Sequence, residues 1–237
     1  MEERIKKLER QVKALAGLSV MLLLGGILVL ISNQPVSSED GILRVKGIVV
    51  EDSAGRERIL IGAPVPKAAN RVRTDTARVR EIWGQRFSKR YMEWYANYNH
   101  SANGIIILDE NGFDRIAIGN PTPDPNIGQR IGPATGIEIN DEEGFERSGY
   151  GILSVGGSNR VVLGLDGKNG TEAVTLSVDD SDGSAGLSVN RGQNLIYLGH
   201  ANASTLKPEG GKNFSGMILK DSVNLRFFEI QPEKTKK

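Results

Sequence analysis

The sequence predicts an all-β repeat domain of stacked β-hairpins, solenoid- or prism-like, preceded by a short helix and one transmembrane helix and interrupted by one helical insertion. Three observations predict this fold class. An uncharged apolar run covers residues 14–31, short β-branched segments recur beyond it around Asp-x-x-Gly turns, and one aromatic and basic segment interrupts them. The predicted divisions are a cytoplasmic amphipathic or coiled-coil helix at 1–13, a transmembrane anchor at 14–32, a linker at 33–43, the repeats at 44–230 with the insertion at 67–103, and a charged tail at 231–237.

The first fifteen residues carry an apolar stripe with the a-d spacing of a coiled coil. Charged Arg4 and Glu9 flank this stripe at g and e positions. β-branched residues at a with leucine at d favour a dimer, whereas a stripe that rests on lipid is the alternative interpretation. The stripe consists of Ile5, Leu8, Val12 and Leu15.

The apolar run that follows contains no charge and no proline from Ala14 to Ile31. As a helix it would span roughly 27 Å, close to the ~30 Å hydrocarbon core of a bilayer. Five basic residues precede it and none follows it until Arg44, which predicts a cytoplasmic N-terminus and an extracytoplasmic C-terminal part. A cleaved signal peptide and a buried helix are the alternatives. The run exceeds the usual apolar region of a signal peptide, and no Ala-x-Ala-like site follows it.

The overall composition limits the partners and the compartment. The chain has no cysteine, so no disulfide supports an exported domain. Its net charge of +1 argues against bulk attraction to nucleic acid, which is not an expected partner. Asn-x-Ser/Thr sequons, which could carry glycan in a eukaryotic secretory pathway, occur at Asn99, Asn169, Asn202 and Asn213.

The repeats are clearest in two segments, GIVVEDSAGRERILIGAP from Gly47 and GIIILDENGFDRIAIGNP from Gly104. A third copy, GIEINDEEGFERSGYG, starts at Gly136, and looser copies of single strands lie at 160–164, 176–183 and 195–199. The three clear copies share an Asp-Gly-Arg frame, which predicts structural turn positions. These are Asp52, Gly55 and Arg58, then Asp109, Gly112 and Arg115, then Asp141, Gly144 and Arg147.

Each copy has the composition of a β-hairpin. β-branched residues form the strands, the aspartate caps the turn, and the glycine accepts a positive φ. A Gly-x-Pro sequence then ends the second strand, because proline removes a hydrogen-bond donor. The repeat arginines, with Arg160, are expected to pair with the turn aspartate or a neighbouring hairpin; a ladder of arginines facing an anionic polymer is the alternative.

Isolated two-stranded hairpins are marginally stable in water, so these hairpins must bury their apolar faces on one another or on partner chains. The copies start 57 and then 32 residues apart, which indicates hairpins with loop insertions rather than a strict solenoid. Glycine is abundant and aromatics are few, which predicts a thin core. We therefore expect a homo-oligomer, with a trimer favoured over the dimer that the N-terminal stripe suggests.

The D-x-x-G-x-x-R-x-x-I-G frame between Arg44 and about Gly164 resembles uncharacterised bacterial proteins that pair an N-terminal membrane anchor with tandem hairpins. The resemblance implies a fold style and a location in the cell envelope. It implies no activity.

The insertion at 67–103 contains both tryptophans and carries eight basic and three acidic residues. Its aromatic spacing predicts a helix from Thr76 to Tyr95, weakened by Gly84. Three interpretations stay open: a stripe that packs on the sheet, an interfacial membrane helix, and a binding face for glycan, an anionic polymer or a protein. The candidate binding residues are Trp83, Phe87, Arg90, Tyr91, Trp94, Tyr95 and Tyr98.

Motifs for catalysis and for metals are weak or absent in the sequence. The two histidines, His100 and His200, belong to no metalloprotease, serine-hydrolase or phosphate-binding signature. Asp109-x-Asn111-Gly112 and Asp180-x-Asp182-Gly183 match half of a calcium loop but coincide with predicted turns, and the turn is favoured. We therefore predict no cofactor, no metal and no enzymatic activity.

The leading functional hypothesis is a non-enzymatic, membrane-anchored, self-associating structural or adhesive module of the cell envelope. The alternative is a module that binds glycan or an anionic polymer through the segment Trp83 to Tyr98. An enzyme that acts on polysaccharide is the third hypothesis.

Overall fold

The structure is a computed structural model. It describes residues 1–32 (with side chains up to residue 25), 42–84, 86–126, 128–168, 170–202 and 213–230. Most of the predicted linker, the predicted tail 231–237 and the sequon at Asn169 lie outside the described residues. The chain divides into two compact units, Met1–Val45 and Lys46–Lys237.

The first unit is dominated by one helix, α1 (Glu2–Ser32). Its predicted stripe is solvent-exposed, since Ile5, Leu8, Val12 and Leu15 are each more than half exposed. Within the described residues, no helix is both long and apolar enough to cross a membrane. The predicted anchor at 14–32 extends into residues 26–32, whose side chains are outside the described part.

The second unit is built on one antiparallel sheet of twelve strands, which confirms the predicted β-rich fold. Every strand pairs with its neighbours in sequence, so the order runs from β1 to β12, and neither end strand has an outer neighbour among the described residues. The strands are β1 (Gly47–Glu51), β2 (Glu57–Gly62), β3 (Gly104–Leu108), β4 (Asp114–Gly119), β5 (Ala134–Asn140), β6 (Glu146–Val155), β7 (Ser158–Asp166), β8 (Glu172–Asp179), β9 (Ala185–Arg191), β10 (Asn194–Ala201), β11 (Phe214–Lys220) and β12 (Leu225–Glu229).

The hairpins lie side by side in this sheet and are not stacked as separate layers, because the second strand of one hairpin also pairs with the first strand of the next. The connections between hairpins vary in length. They include residues 63–103 between β2 and β3, residues 120–133 between β4 and β5, and a turn at Gly156 and Gly157 between β6 and β7. The irregular spacing of the repeats therefore comes from connections at one end of the strands.

The turns within the first three hairpins have the predicted chemistry. In each, one aspartate oxygen accepts main-chain N–H groups two and four residues further on, at 2.9–3.1 Å. Gly55, Gly112 and Gly144 have φ values of 74°, 84° and 82°. Just after each turn, the second strand contains one extra residue as a bulge, and this residue is the repeat arginine of that copy, Arg58, Arg115 or Arg147. The same bulge, with Ala173 as the extra residue of β8, identifies β7 and β8 as a fourth hairpin of this kind, in which Gly167 replaces the aspartate.

The connection 63–103, which contains the insertion, packs on one face of the sheet at its first strands. Ala68 and Ala102 of the insertion, with Val65 just before it, form a buried cluster with sheet residues that include Leu60 and Ile106. The single helix predicted from Thr76 to Tyr95 is wrong in detail: the segment forms a 3₁₀ turn (Val72–Thr74), α2 (Thr76–Trp83) and α3 (Lys89–Tyr95). Gly84 follows α2, and Ser88 caps α3 by accepting from the N–H of Tyr91. A capping serine inside the predicted helix favours a new helix start over continuation.

A row of glycines crosses the covered face at matched register positions. It contains Gly47, Gly62, Gly104, Gly119, Gly136 and Gly151 on the first six strands, and glycine returns on β9, β10 and β11. At Gly136 a Cβ would lie 2.3 Å from the carbonyl oxygen of Tyr150. The strands approach each other too closely there for a side chain.

Candidate functional site

The face of the sheet opposite the insertion carries an apolar side chain at one register position on all twelve strands. We call this surface the ladder face. Each member is paired in register with the next across the strands. The row consists of Ile48, Ile61, Ile105, Ile118, Ile137, Tyr150, Leu163, Leu176, Leu187, Leu198, Met217 and Phe228.

A second row lies two residues along each strand on the same face. Only Ser148 and Arg226 interrupt its apolar character. The row consists of Val50, Ile59, Ile107, Ile116, Ile139, Ser148, Leu165, Val174, Val189, Ile196, Leu219 and Arg226. With strands about 4.8 Å apart, the two rows form an apolar strip about 50 Å long.

This strip is exposed along most of its length. Tyr150 is 57% exposed, Leu176 and Leu198 are 54% exposed, and many other members exceed a third. Large apolar side chains on one face of a sheet are normally covered by a second layer. In the single chain, the described residues provide this cover only on the opposite face.

The alternation of apolar and polar residues within the strands indicates the ladder face, whereas the repeat motif alone does not. From β5 to β9, the facing row on the insertion side becomes polar or small, with Glu138, Gly149, Gly164, Thr175 and Ser188 at matched positions. The ladder positions on the same strands stay almost entirely apolar. This one-sided alternation could have identified the ladder face, whereas the early strands, such as GIIIL in β3, are apolar on both faces.

The candidate binding residues of the insertion divide into a core group and an outward group. Trp83, Tyr95 and Tyr98 are buried in one cluster with Val72, Val79 and Phe145. Phe87 and Tyr91 pack against this cluster, with their ring centroids 4.2 Å apart. Most of the predicted aromatic stripe is therefore hydrophobic core, as one of the three interpretations expected.

Trp94 and Arg90 form the outward group. Trp94 is 51% exposed, and the guanidinium carbon of Arg90 lies 4.7 Å from the centroid of its ring, as in a cation–π pair. Beside them is a hollow of about 470 Å³ whose lining includes Tyr91, Asn97 and Gln129. The predicted site residues that remain available to a ligand are thus concentrated here.

Two arginines of the basic insertion are buried instead of exposed. Arg71 forms a bidentate ion pair with Asp114 of β4, at 2.8 and 2.5 Å. Arg73 donates to the carbonyl oxygen of Asp124 and, through Nε, to Nδ1 of His100 at 3.3 Å. Burial lowers the pKa of the Arg73 guanidinium. These groups attach the insertion to the sheet and are not available to an anionic ligand.

The repeat arginines tie neighbouring hairpins together. In each of three copies, the Nε group donates to the main-chain carbonyl of the last residue of the next strand. The distances are 3.0 Å from Arg58 to Leu108, 3.1 Å from Arg115 to Asn140 and 3.0 Å from Arg147 to Asp166. The same arginines lie 3.1, 3.9 and 3.6 Å from the turn aspartates of their own hairpins. Both predicted structural partners are present. Arg160 differs, because it lies 4.0 Å from Glu172.

A charged cleft of about 270 Å³ lies on the insertion face beside residues 120–133. Arg130 and the buried Glu138 form an ion pair in it. Desolvation raises the pKa of Glu146 and Asp166, which also line the cleft. Among the residues that the structure describes, no cluster of three or more His, Asp or Glu side chains could hold a metal ion.

Comparisons of the chain with protein-family models, with curated proteins and with solved structures found no match. Its function is therefore inferred from its own residues.

Proposed function

We propose that the protein is a non-enzymatic, membrane-anchored structural or adhesive module of the cell envelope, and that it self-associates through the ladder face. The observation that carries this proposal is the exposed pair of apolar rows across all twelve strands. A second copy of the chain is the proposed occupant of the strip.

The size of the strip supports association. Its more exposed members are 37–57% exposed in the single chain. For side chains of this size, that amounts to on the order of 1,000 Å² of apolar surface, more than the ~300–600 Å² of the largest patch on a typical monomer. A stable protein interface needs about 800 Å² per partner, so covering the strip supplies enough area.

The regularity of the strip favours an identical partner. Apolar side chains recur along the strip at the fixed spacing between strands. A second copy presents apolar side chains at the same spacing, so the two strips can pack in register. The first unit has a separate apolar stripe that is also exposed, from Ile5 to Leu15 of α1. Association of identical chains covers both surfaces at once.

Three copies are favoured over two by the shape of the strip. Each strip is two rows wide over most of its length, and a third row through Ile152, Val161 and Val178 widens it between β6 and β9. Two facing strips would leave both long margins of the apolar interior open to water, whereas three strips around a common axis close those margins against one another. The insertion faces would then point outward.

The membrane anchor is proposed from the sequence. The uncharged run Ala14–Ile31 is long enough for the hydrocarbon core, and the basic residues before it favour a cytoplasmic N-terminus. In this arrangement the repeat unit lies outside the cytoplasm, close to the membrane surface.

The self-association is tested by a matched pair of variants in the full-length protein. Leu176→Asp places a charge on the ladder face, while Ser177→Asp places the same charge on the opposite face of the same strand. We expect Leu176→Asp to lower the oligomeric mass, because a charge buried between copies is unpaired. Ser177→Asp should keep the wild-type mass, with circular dichroism as the control for folding. Equal masses for all three proteins would contradict the proposal.

A further inference from the structure

We propose that Arg90, Trp94 and the hollow beside them bind an acidic polysaccharide. This site goes beyond self-association, because it belongs to the insertion, on the side of the sheet opposite the ladder face. It therefore stays accessible when the ladder face is covered.

The two tryptophans of the chain differ in what the fold requires of them. Trp83 is 1% exposed, and its Nε1 group donates to the carbonyl oxygen of Glu143 at 3.1 Å. Trp94 is 51% exposed and packs outside the buried aromatic cluster. Core packing explains the first tryptophan and leaves the second without a structural role.

The position of Trp94 is held firmly from beneath. On α3 and just after it, Tyr91, Tyr95 and Tyr98 point into the core, and their rings pack on one another at centroid distances of 5.4–6.2 Å. The Tyr95 hydroxyl donates to the carbonyl oxygen of Arg73 at 3.1 Å. The helix therefore presents Arg90 and Trp94 on its outer side from a rigid base, which reduces the entropy lost on binding.

The hollow supplies polar groups beside the indole. Its lining includes Asn97 and Gln129, together with Tyr91 and Gly128, and the Asn97 amide nitrogen donates to the carbonyl oxygen of Glu93 at 3.4 Å. The Tyr91 hydroxyl is buried and has no hydrogen-bond partner within the described ranges. A volume of about 470 Å³ lies within the ~300–1,000 Å³ that is usual for ligand sites.

These groups match the chemistry of an acidic sugar. An indole face packs on the C–H groups of a pyranose ring, and side-chain amides hydrogen-bond to its hydroxyls. A guanidinium beside the ring binds a carboxylate in two-point geometry. A bilayer would instead require a convex apolar ridge, whereas Trp94 borders a concave surface with amides in it.

Affinity electrophoresis of the full-length protein tests the site. The probes are polygalacturonate as the acidic polysaccharide, dextran as a neutral one, and vesicles containing phosphatidylglycerol. The variants are Trp94→Ala, Trp94→Phe and Arg90→Gln. Arg80→Gln is the charge-matched control, because Arg80 is an exposed arginine on α2. Oligomeric mass is measured for each variant, so a failure here is distinguished from a failure of self-association.

We expect wild-type protein to be retarded by polygalacturonate but not by dextran. Trp94→Ala should weaken this binding about tenfold or more, as for aromatic hot spots, while Trp94→Phe should stay within about threefold. Arg90→Gln should remove most of the salt dependence of polygalacturonate binding, whereas Arg80→Gln should leave that salt dependence unchanged. Absence of wild-type binding, equal retardation by dextran, or unchanged binding by Trp94→Ala would overturn the proposal. Binding to vesicles that Trp94→Ala weakens, without binding to polygalacturonate, would overturn it in favour of a membrane surface.

Discussion

At the scale of single residues, burial decides what the charged groups of the insertion do. Arg71 and Arg73 look the same in sequence as the exposed Arg80 and Arg90. Arg71 and Arg73 are buried because each has a partner far along the chain. Asp114, for example, lies 43 residues from Arg71. A single sequence carries no local sign of such a pairing.

The buried ion pair gives a first prediction. Asp114→Asn removes the countercharge of Arg71 while keeping the side-chain shape, so a buried guanidinium loses its compensation. We expect the free energy of unfolding to fall by ~3–5 kcal/mol. Urea denaturation of the full-length protein measures this loss. As the control, Arg86→Gln breaks the exposed pair with Glu143 and should cost far less, because water already screens it. Equal losses in both variants would contradict the buried pair.

His100 gives a prediction about pH. Burial, followed by the nearby charge of Arg73, lowers the pKa of its imidazole to about 4. Its Nε2 group donates to the carbonyl oxygen of Tyr95 at 2.9 Å, while Nδ1 accepts from Arg73, so the neutral ring satisfies both contacts. Because the unfolded chain takes up this proton near pH 6.5, His100 stabilises the fold above that pH. That contribution is lost as the pH falls from about 6.5 to about 4.

The melting temperature of wild-type protein should therefore fall more steeply between pH 7 and pH 4.5 than that of His100→Gln. Glutamine can make the same two hydrogen bonds without titrating. Parallel pH profiles for the two proteins would show that His100 does not contribute in this way.

At the scale of single elements, the hairpin turns follow from local chemistry. The Asp-x-x-Gly turns form where the sequence places them, because the capping carboxylate and the positive-φ glycine lie within four residues of each other. The break between α2 and α3 was not predicted, since aromatic periodicity alone does not distinguish a continuous helix from two short ones. The cap at Ser88 decides between them.

Two turn glycines with the same backbone conformation form a matched pair for a third prediction. At Gly55 a Cβ would meet nothing within 4 Å, whereas at Gly112 it would lie 1.9 Å from the carbonyl oxygen of Asn70 in the insertion. Gly55→Ala should cost about 1–2 kcal/mol, the penalty for a left-handed alanine. Gly112→Ala should cost clearly more, because the insertion must also move. Urea unfolding of both variants checks this, and similar losses would argue against the contact between the turn and the insertion.

At the scale of the whole molecule, the two faces of the sheet differ: the first strands are covered on one face, and the ladder face is exposed along most of its length. The sequence predicted a β-rich unit with too little core of its own, and the ladder face shows where burial is missing. On the first four strands the free face was not predictable, because both faces are apolar there and the insertion decides which one is covered; on β5 to β9 the one-sided alternation indicates it. Residues 63–103 pack over Leu60 and Ile106 on one side, and the rows through Tyr150 and Leu176 stay exposed on the other.

This arrangement explains why the two faces have different proposed roles, self-association for one and ligand binding for the other. The ladder face is long, apolar and repetitive, which suits an identical partner. The insertion face carries Trp94 and Arg90 on a rigid helix, which suits a ligand. Association would bring several copies of that site together, and several linked sites bind a polymer more tightly than one.

The oligomeric mass of the full-length protein tests the central claim most directly. It is measured by multi-angle light scattering in a mild detergent, with the detergent contribution subtracted. We predict a stable species of three chains for the wild-type protein and a smaller mass for Leu176→Asp, which assigns the association to the ladder face. A well-folded monomer at all concentrations would contradict the account, because the apolar strip would then be stable in contact with solvent.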